Sequence, residues 1–272
     1  MEVIKKRSQI FNKLSGKKNI GFVPTMGALH KGHVSLFKNA KKQSKITVAS
    51  IFINPKQFSK KQDYNKYPRR QVRDLNLLKK LKIDYVFLPH FNEIYGFKTN
   101  NKIYLDKFSS KLCGKFRPGH FKGVVDVVNR LIEIIKPHKI YLGEKDFQQL
   151  FLIKQHLKSI KSKTKVISCN TIRDKSNLSF SSRNFYLSKK DLDKARNITN
   201  LIIKFKKRLK INRAKFSDIE TLKKEIKKKG VKKVDYLEIL NLNTLKTPKK
   251  TIEKFNIFSA YYINNIRLID NV

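Results

Sequence analysis

"NIGFVPTMGALHKGHVSLFKNAKKQSKITVASIFI", residues 19 to 53, decides how this chain folds. Its ends, "NIGFV" (19 to 23) and "KITVASIFI" (45 to 53), are β-branched and aromatic runs bounded by turn or polar residues, and they read as buried strands. Between them "KGHVSLFKNAKKQ" places Val34, Phe37 and Ala40 at helical spacing. A strand, helix, strand unit of this length builds a parallel sheet, because parallel neighbours need a long crossover connection.

The alternation continues outward. "RRQVRDLNLLKKL" predicts a helix, "DYVFLP" a strand, "FKGVVDVVNRLIEIIK" a helix, "KIYLG" a strand, "FQQLFLIKQHLKSIK" a helix and "TKVISCNTI" a strand. About five strands with intervening helices predict an open, Rossmann-like, doubly wound parallel α/β sheet. After "SNLSFSSRN" the texture changes. A long Lys-rich amphipathic helix starts at 188, and a second, "FSDIETLKKEIKKKG", is closed by Gly230. The strands "VDYLEIL", "FNIFSAYYI" and "IRLID" follow, which predicts a small α+β domain. The expected division is 1–175 and 176–272, with the boundary near 171 to 176.

Bulk composition narrows the function classes. With 272 residues, 40% hydrophobic and 11% aromatic, the chain can bury a core and is not disordered. Its apolar runs fall well short of the roughly 18 residues a membrane span needs, so no membrane association is expected. The N-terminus lacks the apolar region of a secretory signal, and the expectation is a cytoplasmic protein. Two cysteines, Cys113 and Cys169, show no paired spacing, against both a disulfide scaffold and a thiolate zinc site. The formal charge of +43, from 63 Lys+Arg and 20 Asp+Glu, attracts polyanions in general. Lysine is spread over nearly every segment, however, and no nucleic-acid-binding motif accompanies it. The reading is a composition bias, without a specific nucleic-acid partner.

In a parallel α/β sheet, ligands bind beyond the carboxyl ends of the strands. The unusual residues of this chain fall there: "PTMGALHKGH", "NPKQF", "GEKDFQQ" and "RDKSNLSFSSRN" each follow a predicted strand. Four strand ends are therefore expected at one cleft. In the first, Gly27 and Gly32 permit close backbone approach, and the start of the next helix offers N–H groups and a positive dipole end to a phosphate. His30 and His33 can add ring N–H donors. The pair by itself reads equally as surface histidines, and it lacks the third ligand of a zinc site. Lys145 is a point charge for phosphates, and Asp146 suits a ribose hydroxyl or a magnesium shell. "SSRN" supplies two hydroxyls and the fork of Arg183, or simply a helix cap. Gln57, Gln148 and Gln149 suit a small hydroxylated substrate, or are exposed loop residues. "GKFRPGHF" adds Arg117 and His120 before a helix.

Taken together and in order, "VPTMGALHKGH", "SIFINPKQF", "YPRR", "RPGHFKGVV", "YLGEKDFQQL" and "LSFSSRN" resemble the pantothenate synthetase family of HIGH-motif nucleotidyltransferases, over about residues 20 to 187. The resemblance implies an ATP-dependent ligase that joins pantoate to β-alanine through a pantoyl adenylate, releasing AMP and diphosphate. It implies ATP as substrate with Mg2+, a homodimer, an ATP- and pantoate-binding catalytic domain, and a C-terminal lid domain.

Carried over by residue, the ATP segment is Met26, Gly27, Ala28, Leu29, His30, Lys31, Gly32 and His33, with His33 in the catalytic, proton-donor position and His30 as its partner. Gly143, Glu144, Lys145 and Asp146 match a second ATP segment, with Lys145 on phosphates. Ile172 matches a main-chain adenine contact, and Phe180, Ser181, Ser182 and Arg183 match the mobile phosphate segment. Gln57 matches the pantoate and β-alanine contact and Gln149 a pantoate contact, while Asn54, Tyr67 and Arg117 also fall on family positions. The metal ligands stay unknown. The chain departs from the family at Phe180 (commonly Met or Leu), Asn177 (Gly) and Asp126 (Thr). Asn tolerates left-handed backbone. A carboxylate at 126 would repel an anionic substrate. Another nucleotidyltransferase of the superfamily, or a basic RNA-binding protein that has lost catalysis, are the competing readings.

Overall fold

The computed structural model describes residues 1–59 and 61–272. The chain forms two compact units, Met1–Thr171 and Ile172–Val272, dividing ahead of the 175/176 boundary placed by composition.

The first unit is built on six strands: β1 (Glu2–Ile4), β2 (Ile20–Thr25), β3 (Ile46–Ile51), β4 (Tyr85–Phe87), β5 (Lys139–Gly143) and β6 (Lys165–Cys169). Its helices are α1 (Arg7–Leu14), α2 (Lys31–Gln43), α3 (Lys61–Asn65), α4 (Gln71–Lys80), α5 (Phe91–Tyr95), α6 (Cys113–Phe116), α7 (His120–Ile135) and α8 (Phe147–Ser159). The sheet runs β1-β4-β3-β2-β5-β6, and every pairing is parallel. The chain winds outward from β2 through β3 to β4, then returns to the other side of β2 for β5 and β6. Strand order therefore reverses between β2 and β5, where a doubly wound sheet opens a crevice at its carboxyl edge.

Alternation along each strand explains why the sheet is covered on both faces. Ile20, Phe22, Val48, Phe87, Ile140 and Leu142 share one core cluster with α1, α7 and α8 residues such as Ile10, Val128, Leu131, Ile153 and Leu157. Val23, Ala49, Ile51, Val86 and Tyr141 point the other way, against Leu36, Phe37 and Ala40 of α2 and Leu78 of α4. Strands buried on both faces read as continuous apolar runs, which is how they looked in the sequence. The sixth strand, β1, exceeds the expected five. "EVI" is three residues between polar neighbours, too short for any period to register, and it joins the edge by pairing with β4.

The second unit holds α9 (Lys189–Lys210), α10 (Ile219–Lys228), and an antiparallel sheet β7-β8-β9 over Lys233–Asn241, Phe255–Ile263 and Ile266–Asn271. Ala195, Ile198, Ile202, Phe205 and Leu209 recur on one stripe of α9 and pack with Ile257, Tyr261 and Ile263 of β8. Gly230, at φ +82°, ends α10 in the left-handed conformation that glycine adopts without strain. Among the described residues no helix is long and apolar enough to cross a membrane.

Candidate functional site

The loop from β2 to α2 turns sharply, with φ of +80° at Gly27 and +51° at Ala28. A side chain at 27 would place its Cβ 3.0 Å from Asp74 Oδ2, so the position is restricted to glycine by space as well as by backbone. The turn's N–H groups find acceptors within the protein. Gly27 donates to Thr25 Oγ1 (3.1 Å), Ala28 to Asp74 Oδ2 (2.7 Å) and Leu29 to Asp74 Oδ1 (2.9 Å). His30 N–H donates to His33 Nδ1 (3.3 Å), and Gly32 N–H to His30 Nδ1 (3.1 Å). This corrects one expectation. The backbone donors of residues 27 to 30 and 32 do not form an open phosphate cradle, because the turn and the N-cap of α2 consume them.

What the cap leaves is on the imidazoles. Each ring accepts a backbone N–H at Nδ1, so a neutral ring carries its proton on Nε2. The rings lie 4.0 Å apart, centre to centre. Burial, then the neighbouring His33 and Lys145 charges, push the His30 pKa down to about 2; burial also lowers that of His33, to about 4, with Asp146 opposing and Lys145 assisting. At neutral pH both are uncharged Nε2–H donors, and among the described residues neither Nε2 has a hydrogen-bond partner. His33 thus presents an Nε2–H donor.

The loop after β5 meets this turn, since β2 and β5 are neighbours at the reversal. Its Gly143 and Glu144 lead to Lys145, whose ammonium sits 3.5 Å from Asp146, the latter about half exposed. The loop after β3 closes the third side. Asn54, 1% exposed, donates from Nδ2 to Gln57 Oε1 (3.3 Å) and Gly123 O (3.0 Å), while its Oδ1 accepts from Lys56 N–H and Tyr95 O–H. With its carbonyl oxygen held, Gln57 directs Nε2 to Met26 Sδ at 2.9 Å. Gly123 of α7 lets this turn approach: a Cβ there would lie 2.3 Å from Lys56 O.

Around this frame, His120 Nδ1–H donates to Gln57 O (2.7 Å) and its Nε2 accepts from Arg117 (2.9 Å). Tyr67 packs edge-on against Phe58. Gln149 is half-buried near the start of α8, and among the described residues its amide has no hydrogen-bond partner. Gln148, by contrast, is structural: it accepts from Cys113 N–H and donates to Phe108 O and Lys111 O. Asp126 is ion-paired with Arg130 at 2.9 Å, which offsets the repulsion expected of a bare carboxylate.

The loop after β6 belongs to the second unit. Ile172 O accepts from Phe180 N–H (3.1 Å), closing a hairpin whose turn places Asn177 at φ +70°, the conformation that glycine or asparagine tolerates. Arg173 fixes the hairpin by forking to Asp270 (2.6 and 3.0 Å) and donating to Asn271 O. Ser181 Oγ caps the short helical turn Ser182–Tyr186 by accepting from Arg183 N–H, so the cap reading of "SSRN" holds for that serine. Ser182 is buried, and Arg183 donates to Arg267 O at 2.7 Å.

Sequence reasoning missed Asp74 and Tyr95. Asp74 had a visible signal: it lies one turn before Leu78 on the buried stripe of α4, a carboxylate where the pattern demands an apolar residue. Tyr95 had none, because its bond to Asn54 joins residues 41 positions apart. Among the described residues no group of three or more His, Cys, Asp or Glu is placed to hold a metal ion.

Comparison with known proteins places this architecture. A family model described as pantoate-beta-alanine ligase matches residues 1–272. The pantothenate synthetase of Sulfurihydrogenibium sp. (strain YO3AOP1) is 42% identical, covering 96% of this chain and 93% of that protein. The crystal structure of pantothenate synthetase from Thermus thermophilus superposes with a TM-score of 0.92 at 31% identity, covering 100% of this chain and 99% of the other. That of pantoate-beta-alanine ligase from Francisella tularensis, complexed with beta-gamma ATP and beta-alanine, gives 0.84 at 39% identity, over 100% and 97%. With the match running the full length of the sequence, the chain belongs to the pantoate–β-alanine ligase family.

Proposed function

We propose that this chain is the ATP-dependent ligase that condenses pantoate with β-alanine, by way of a pantoyl adenylate. The observation that carries the reading is the meeting of two neutral histidine donors, Lys145 and the oriented amide of Gln57 at the reversal between β2 and β5. The homologue from Francisella tularensis, crystallised with beta-gamma ATP and beta-alanine, supports the same substrates here.

A carboxylate is a poor acyl donor, so the first step makes a mixed anhydride. A pantoate oxygen attacks the α-phosphorus of ATP, the bond to the β-phosphate oxygen breaks, and diphosphate leaves. Negative charge moves onto the departing phosphates, and His30 and His33 Nε2–H with Lys145 stabilise it as preorganised donors. In the second step the neutral amine of β-alanine attacks the acyl carbon, the acyl–oxygen bond breaks, AMP departs and the nitrogen loses a proton. Gln57 orients pantoate and β-alanine, with Gln149, Tyr67 and Arg117 lining the substrate end and Asn54 holding Gln57. This is catalysis mainly by positioning.

The ATP segments are Met26–His33 and Gly143–Asp146 in the first unit, which we read as the catalytic domain. Ile172 and Phe180–Arg183 are assigned to ATP in the second, read as a lid. Asp146 would contact the water shell of a Mg2+ carried in by the nucleotide, which would supply neutralisation of phosphate charge, whereas both Asp74 oxygens are already engaged. A homodimer and a cytoplasmic location complete the reading.

The test is AMP release by purified protein with ATP and Mg2+, omitting pantoate or β-alanine in turn. Multiple turnovers are expected only with both present. AMP release indifferent to either omission would remove the reading and favour another nucleotidyl transfer.

A further inference from the structure

We propose that Asp74 is the positioning residue of the nucleotide turn: its carboxylate holds the left-handed backbone at Ala28 and so aims the histidine pair. The proposal rests on the functional reading above for its kinetic arm but not for its spectroscopic one. Asp74 is 1% exposed, and its two oxygens are divided between consecutive N–H groups, Ala28 at 2.7 Å and Leu29 at 2.9 Å. A non-glycine residue at φ +51° lies in a sparsely populated region and persists only where its surroundings over-determine it. Here the surroundings include this carboxylate, bonded to the N–H groups on both sides of the Ala28 Cα, and it packs so near Gly27 that a Cβ there would lie 3.0 Å from its Oδ2. Leu29, whose N–H is the second donor, immediately precedes His30, the N-cap of α2, so the carboxylate fixes where the helix and both rings begin.

Each Asp74 oxygen faces one backbone N–H, so the carboxylate is placed to accept a pair of hydrogen bonds. Burial pushes its pKa above the ordinary value, opposed by the two backbone N–H bonds and by the charges of Arg73 and Arg70. An amide cannot replace it, because its NH2 would face one of the two donors.

Two measurements on D74N decide the matter. In steady-state kinetics, AMP formation per folded molecule should fall about tenfold to a hundredfold, the size expected for misplaced charge-assisted contacts, with the KM for pantoate within about twofold of the parent. In an NMR titration, the His30 and His33 rings should become protonable at higher pH than in the parent, because the cap that buries them loosens. A folded D74N with parental turnover and parental histidine titration would overturn the proposal. If D74N does not fold, D74E carries the test, since it keeps the charge but displaces the oxygens. Positioning predicts the same losses in D74E, and parental behaviour there would contradict it. Failure of the functional reading itself would appear separately, as absence of substrate-dependent AMP formation in the parent protein.

Discussion

Each imidazole of the pair accepts a backbone N–H at one nitrogen and leaves the other, protonated, for the ligand proposed above. Removing His33 therefore has two separable consequences. His33→Ala deletes the acceptor of His30 N–H, which should cost about 1 kcal/mol of stability. It also deletes a donor to developing phosphate charge, which should slow adenylate formation about a hundredfold to a thousandfold in single-turnover assays. Turnover near the parental rate would mean the donor is misassigned. The depressed pKa values give a second test. In the folded state His33 titrates at about 4 and His30 at about 2, against 6.5 for an unperturbed ring, so below 6.5 the unfolded chain binds more protons. Stability contributed by these groups is complete above about 6.5 and is lost as pH falls, toward 4 for His33 and lower for His30. The slope is about 1.4 kcal/mol per pH unit for each histidine. Urea melts between about pH 7 and 4.5 should show this slope in the parent and a shallower one in a His30→Asn, His33→Asn double variant.

At the scale of elements, the site depends on how closely α7 can approach the turn after β3. Gly123→Ala would set a methyl against Lys56 O, forcing helix and turn apart at a cost of about 1–3 kcal/mol. Because Asn54 bridges Gly123 O and Gln57, the KM for pantoate should rise while the KM for ATP changes little. An unchanged melting temperature and pantoate KM would contradict this packing. The long elements were legible in the sequence: β8 is a largely apolar run and α2 carries apolar positions at helical spacing, and their observed spans coincide with the stretches quoted for them. What stayed hidden was short or distant. The three residues of β1 hold no period, and α10 begins at Ile219 because Phe216–Asp218 form a separate tight turn. Asp74 reaches Ala28 across 46 positions, a contact no local pattern encodes, although a carboxylate on an apolar stripe signals that it must be accepting bonds there.

For the whole molecule, the order of the strand-end motifs was the informative feature, since His30, Gln57 and Lys145 lie on three loops that only the parallel topology gathers. The net charge of +43 was less informative, because it is spread over nearly every segment and marks no site by itself. The expected open cradle of backbone donors was a misreading at the same level, as helix starts in general expose N–H groups but this one is capped by its own histidines.

On the proposed function, the assembled donors serve the transfer of a nucleotidyl group to pantoate before β-alanine is used. Exchange of labelled diphosphate into ATP, measured with pantoate present and β-alanine absent, tests it directly. Exchange is expected to require pantoate and to be lost in His33→Ala. Exchange without pantoate, or none until β-alanine is added, would contradict it.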